Sequence, residues 1–161
     1  MTELPIDVVR SQRRRRTVQA SIKEGRLEVR VPTGLDPDEE SRLVREVAEK
    51  VYRKVSSAGV DLTERARRLA KRYGLPEPAG IEWSSRQMRR WGSCTPENGR
   101  IRISNRLAGM PGWVLDSVIV HELAHLEEAD HGPRFNALAN RYELAERARG
   151  YLIAKSEGRA P

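Results

Sequence analysis

Every histidine of the chain, His121, His125 and His131, falls within one run of eleven residues, His121-Glu122-Leu123-Ala124-His125-Leu126-Glu127-Glu128-Ala129-Asp130-His131. A helix turns about 100° per residue, so His121 and His125, four positions apart, share a face and can share a metal ion. Glu122 adjoins that pair, where its carboxylate reaches a water on the metal without taking a coordination position. Zinc-dependent hydrolases use this arrangement, with the two histidines on Zn²⁺ and the glutamate as general base. The flanking Val114, Leu115, Val118, Ile119, Val120, Leu123, Ala124 and Leu126 are apolar on nearly every side, which places the helix in the interior. Polar and charged groups there are costly unless paired, hydrogen-bonded or bound to metal. A solvated, idle surface helix is the poorer reading.

A catalytic zinc site takes three protein ligands and keeps one position open. On an unbroken helix His131 would stand about 9 Å of rise beyond His125 and roughly 120° around the axis from it. The chain must therefore leave the helix near Ala129 and fold back, and Asp130-His131-Gly132-Pro133 suits that turn. His131 is the expected third ligand. The competitor is Glu143, on the helix that follows. The spacing also matches the metzincin pattern, but Glu128 stands where that pattern needs its turn-making glycine.

With 161 residues, 38% hydrophobic and 33% charged, the expectation is one soluble globular domain. No apolar run is long enough to span a bilayer, so no membrane partner is expected. The N-terminus shows no basic segment followed by an apolar one, and the single cysteine, Cys94, cannot form an internal disulfide. Both point to the cytoplasm. The net charge of +7 is concentrated: residues 1–30 carry +4, residues 86–106 carry +5, and the remainder −2. A basic surface of that kind would attract nucleic acid or an acidic polypeptide. The alternative to a zinc hydrolase is accordingly a basic nucleic-acid-binding module with a non-catalytic zinc site. Against it, a structural zinc usually closes with four protein ligands, often including cysteine, and here Glu122 accompanies only three.

The patterning predicts an α+β domain with a small antiparallel sheet. A basic β-hairpin lies within residues 8–32, with Val18, Ala20 and Ile22 alternating on one arm, Leu27, Val29 and Val31 on the other, and Glu24-Gly25 at the turn. Two helices follow within about 37–73, the first capped by Asp36 and the second running from about Asp61 to its stop at Gly74. β-type segments come next at Ile81–Ser84, Gln87–Trp91 and Arg100–Ser104. The metal-binding helix starts at Pro111, so that sheet and helix together fill 80–130. A last helix is expected over 133–152, and a frayed tail over 156–161.

Four stretches together resemble the YgjP-like metallopeptidases, zincin-type domains related to the SprT-like and WLM proteases. They are Arg86-Gln87-Met88-Arg89-Arg90-Trp91-Gly92-Ser93-Cys94, Gly99 to Leu107, Val118 to His125, and His131-Gly132-Pro133-Arg134-Phe135. The basic hairpin from Arg13 to Pro32 is similar to the start of that family, so the resemblance covers most of the chain. It implies a zincin-like fold, zinc on His121, His125 and His131, Glu122 as catalytic base, a polypeptide substrate, and Arg100–Ser104 as the strand beside the cleft. One departure is Ser104 before Asn105, where the family more often has an apolar residue. Trp91 and Cys94 are expected to pack in the core, and Asn105 to brace the strand-to-helix connection. Arg106, Arg134 and Tyr142 are candidates to stabilise an oxyanion. Asp130 is expected either to support a ligand histidine or simply to form the turn.

Overall fold

The computed structural model describes residues 4–13 and 16–157. The chain packs as two compact units, one ending at Ser56 and the other beginning at Ser57.

In the first unit, strands β1 (Ile6–Ser11), β2 (Gln19–Lys23) and β3 (Arg26–Pro32) form a sheet in the order β1-β3-β2. The expected hairpin is β2–β3. Its two-residue turn has φ of 50° at Glu24 and 74° at Gly25, the paired positive values that a type I′ connection requires. Leu27, Val29 and Val31 are fully buried and pack with Val44, Val47, Ala48 and Val51 of helix α1 (Pro37–Ala58). Asp36 caps that helix as expected, accepting from the backbone N–H of Asp38 at 2.9 Å. Strand β1, which overlaps the start of the expected 8–32 hairpin, is a third strand that was not anticipated, and it pairs parallel to β3. Its basic neighbours are largely neutralised within the unit: Arg26 pairs with Asp7, Arg10 with Glu40, and Lys23 and Arg30 with Glu28. Arg14 and Arg15 of the basic run lie outside the described residues.

The second unit begins with α2 (Leu62–Tyr73), capped by Asp61 and stopped by Gly74 in the left-handed conformation, as its sequence dictates. Strands β4 (Gly80–Ser84), β5 (Gly92–Thr95) and β6 (Arg100–Ser104) form a sheet in the order β4-β6-β5. This sheet is mixed, not antiparallel: β4 runs parallel to β6 and only β5 is antiparallel to it. Nor do Gln87–Trp91 form a strand. That segment is a bend, and the strand is displaced to Gly92–Thr95. A 3-10 turn (Asn105–Gly109) leads to α3 (Gly112–Ala124), which is followed by α4 (Pro133–Ala139) and α5 (Ala145–Glu157).

Helix α3 is the centre of this unit and packs against α2, β5, β6, α4 and α5. Val114, Leu115, Val118, Ile119, Val120, Leu123 and Ala124 are all buried on it, in agreement with the apolar surround read from the sequence. The expected single helix over 133–152 is instead α4 and α5, separated by residues 140–144. That break is held by α2: the Arg141 guanidinium donates to the carbonyls of Tyr73 and Gly74 at 2.9 Å each, and the Tyr73 hydroxyl donates to Glu143 at 2.7 Å. The two arginine bonds occupy free carbonyls at the end of α2, and all three tie the segment between α4 and α5 to that end. Regular helix also continues to Glu157, two residues into the stretch expected to fray; residues 158–161 lie outside the described residues.

Candidate metal centre and cleft

The last turn of α3 carries His121, and His125 caps its end in a right-handed conformation. The chain does not leave the helix abruptly. The Glu128 N–H still donates to Ala124 at 2.9 Å, and a turn closed by Gly132 N–H to Asp130 at 2.8 Å then reverses the direction before Pro133 opens α4. This fold-back brings His131 to the other two histidines. His125 Nε2 and His131 Nε2 are 3.1 Å apart, and His131 Nε2 and His121 Nε2 are 3.2 Å apart.

The three ligand atoms all lie within 4.8 Å of one another, close enough to share one metal ion. His125 is held by its Nδ1–H, which donates to the Glu128 carbonyl at 3.0 Å, so its Nε2 presents a lone pair to the cluster. Two ligands at ~2.0–2.1 Å on one tetrahedral ion stand about 3.3 Å apart. The two separations from His131 fit that arrangement, and the three side chains could hold one metal ion. Phe135, 2% exposed, underlies the group with its ring centroid 4.8, 4.3 and 4.6 Å from those of His121, His125 and His131. Burial, followed by the neighbouring histidines and Arg149, drives the His121 pKa down to about 4. The neutral form is therefore the stable one.

Glu143 is not in the cluster. It faces α2, accepting from Tyr73 and pairing with Arg72 at 3.3 Å.

Glu122 is 5% exposed, yet it lines the same cleft as the three histidines, a space of about 1020 Å³ bordered by β5, α3, α4 and α5. Burial pushes its pKa up to about 8, with the nearby Arg90 opposing the rise. Its side chain lies directly against Gly92. A Cβ on Gly92 would stand 2.6 Å from Glu122 Oε1 and 2.8 Å from its Cγ. Only glycine leaves room there, so the first residue of β5 sets where the carboxylate can be.

The strand beside the cleft is β5 and not Arg100–Ser104. Strand β6 has β4 on one side and β5 on the other, so no edge remains on it for a peptide. Gly92, Ser93 and Cys94 of β5 line the cleft, and among the described strands β5 pairs only with β6. Its outer edge is an unpaired backbone ladder.

The other expected residues divide. Trp91 and Cys94 pack against the core, as expected, but both also border the cleft. Burial and the charges of Glu122 and Glu97 push the Cys94 thiol up to about 11, which disfavours a thiolate ligand. Asn105 opens the 3-10 turn between β6 and α3, the connecting role read for it. Asp130 is exposed and forms the turn through its carbonyl; the support for a ligand histidine comes from Glu128.

The three oxyanion candidates are engaged elsewhere. The Arg106 guanidinium stacks on Trp91 at 3.9 Å and donates to the Arg90 carbonyl at 3.0 Å. Arg134 pairs with Glu128 at 2.9 Å, and the Tyr142 hydroxyl donates to the Trp113 carbonyl at 2.9 Å. Cleft residues not anticipated from sequence include Phe135, Asn136, Asn140 and Arg149. The two asparagines, four apart on the helix after His131, were a legible signal; Arg149 was not.

The match to known proteins agrees with this geometry. Residues 35–147 match the model of the YgjP-like metallopeptidase domain. The chain belongs to the YgjP-like metallopeptidase family. Two solved structures share the fold, both at 18% sequence identity and a TM-score of 0.51: the metallopeptidase zymogen abylysin of Pyrococcus abyssi and the metallopeptidase zymogen jannalysin of Methanocaldococcus jannaschii. The first match covers 57% of this chain and 91% of abylysin, the second 60% and 97% of jannalysin. A search of the curated proteins gave no match.

The YgjP-like family assignment covers all three histidines, the cleft strand and α4. No described helix of this YgjP-like chain is long and apolar enough to cross a membrane. Of the basic stretch at 86–106, Arg106 is buried and Arg102 makes an exposed pair with Glu82 at 3.1 Å, so part of the charge that suggested nucleic acid is buried or locally paired.

Proposed function

We propose that this chain is a zinc-dependent peptidase in which His121, His125 and His131 hold the ion and Glu122 is the general base. The observation that carries the reading is the convergence of three imidazole Nε2 atoms beside one buried carboxylate on a single cleft. A histidine-only donor set suits zinc, a borderline-soft ion. When bound, zinc acidifies a water and polarises the scissile carbonyl as a Lewis acid. Glu122 takes the proton from the attacking water and returns it to the leaving amine. Gly92 keeps its carboxylate against the wall of the cleft. Extended substrate adds to the free edge of β5, where main-chain hydrogen bonds position the peptide with little demand on its sequence. The chain is read as a cytoplasmic protein acting on polypeptides.

Metal analysis tests the ligand set. The parent should hold one zinc per chain. His131→Ala should lower zinc affinity by several orders of magnitude, while Glu143→Ala, remote from the cluster, should leave it unchanged. The reverse order would move the third ligand to Glu143 and dissolve the proposed site.

A further inference from the structure

The cleft carries a cation that this chemistry leaves unused. Arg149 projects from α5 into the wall of the cleft that includes Leu152, Ile153 and Ser156. Its acidic partner among the described residues is Glu146, one turn earlier, at 3.5 Å, with the two side chains 63% and 74% exposed. An exposed pair at that separation is weak. Most of the planar donor fork therefore stays available to a ligand.

The remaining charged groups on the cleft, apart from the histidines, are Arg90, Glu97 and Glu122. Arg90 has Glu122 as a counter-charge. Arg149 has no such carboxylate on the cleft wall among the described residues. A guanidinium on a cleft wall without a carboxylate opposite it is available to receive one from a bound ligand.

We propose that Arg149 is a specificity-determining residue that receives a substrate carboxylate, so that the cleft selects acidic peptides. The inference rests on the peptidase reading above. The carboxylate belongs either to an Asp or Glu side chain near the scissile bond or to the peptide's own C-terminus. Both offer the two-oxygen geometry that a guanidinium binds bidentately.

The test uses the full chain and a matched series of quenched-fluorescence peptides carrying Glu, Gln or Lys beside a common scissile bond, each with a free and an amidated C-terminus. The parent should favour a carboxylate-bearing peptide over its neutral counterpart by about tenfold in kcat/KM, the scale of a charged hydrogen bond. Arg149→Gln should bring that ratio close to one, chiefly through KM, and Arg149→Lys should restore part of it. Loss of the preference on amidation would assign the carboxylate to the C-terminus, and loss on Glu-to-Gln replacement to a side chain.

Binding of the same peptides to metal-loaded Glu122→Gln protein, read by fluorescence anisotropy, gives the preference without turnover. It should vanish in Glu122→Gln/Arg149→Gln. A parent that cleaves none of the peptides while binding the acidic ones through Arg149 would sink the peptidase reading and leave this inference standing. A ratio that Arg149→Gln does not change, or a preference for lysine, would overturn it.

Discussion

Helices α1 and α3 put the same residue types to opposite uses. Helix α1 has 22 residues and buries only Ala48 completely; its glutamates lie toward water, with Glu40 paired to Arg10 and Glu49 to Arg53. Helix α3 has 13 residues and buries eight of them, among them Glu122. On α1 a carboxylate is part of a solvated face, the ordinary arrangement for an amphipathic helix lying on a sheet. On α3 the same group is stripped of water and its pKa is raised to about 8. A carboxylate in such a position costs free energy, and the histidines and cleft beside it supply the reason it is there.

The contrast can be broken most forcefully in the core. Leu123, fully buried between the helical histidines, should cost about 2–5 kcal/mol of stability when changed to Ala, through lost burial and the cavity left behind. Chemical denaturation measures this directly. A loss below 1 kcal/mol would mean that α3 is not the centre of its unit.

Next in size is Gly92→Ala. The added methyl must displace Glu122, whose atoms would otherwise lie 2.6–2.9 Å away. A misplacement on the scale of an ångström costs about a hundredfold in rate, whereas the three histidines are untouched. The variant should keep its zinc and lose activity mainly in kcat. A fully active Gly92→Ala protein would show that the strand does not position the carboxylate.

The smallest effect belongs to α1. Val55, 53% exposed, should change stability by no more than about 0.5 kcal/mol when replaced by Ala. A larger loss would reveal that this part of α1 is covered in solution.

Features written in local sequence were the ones legible in advance. The Glu24-Gly25 turn, the cap at Asp36, the helix start near Asp61 and the stop at Gly74 each depend on one or two residues, and all appear where expected. The histidine cluster was legible for a related reason, since four-residue spacing on a helix and a turn before Pro133 are short-range properties. What escaped depends on distant partners. Strand β1 finds its place only against β3, about twenty residues further on and in parallel register. Strand β5 shows little apolar alternation because its inward positions are Gly92 and Cys94, small residues facing α3 and Glu122. The break between α4 and α5 coincides with hydrogen bonds that Arg141 donates to the end of α2 and that Glu143 accepts from Tyr73, while the apolar spacing runs on through it. Arg149 looked like any surface arginine until α5 placed it on the cleft.

The central claim is that Glu122 moves protons and does not bind the metal. Glu122→Gln preserves the size and shape of the side chain against Gly92 and removes only its basicity. Zinc content and hydrolysis of a peptide that the parent cleaves should be measured together on that variant. The account predicts a folded protein with one zinc per chain and a rate lowered by a factor on the order of 10²–10⁴, the usual contribution of general acid–base catalysis. Unchanged turnover, or loss of the zinc with the carboxylate, would contradict it.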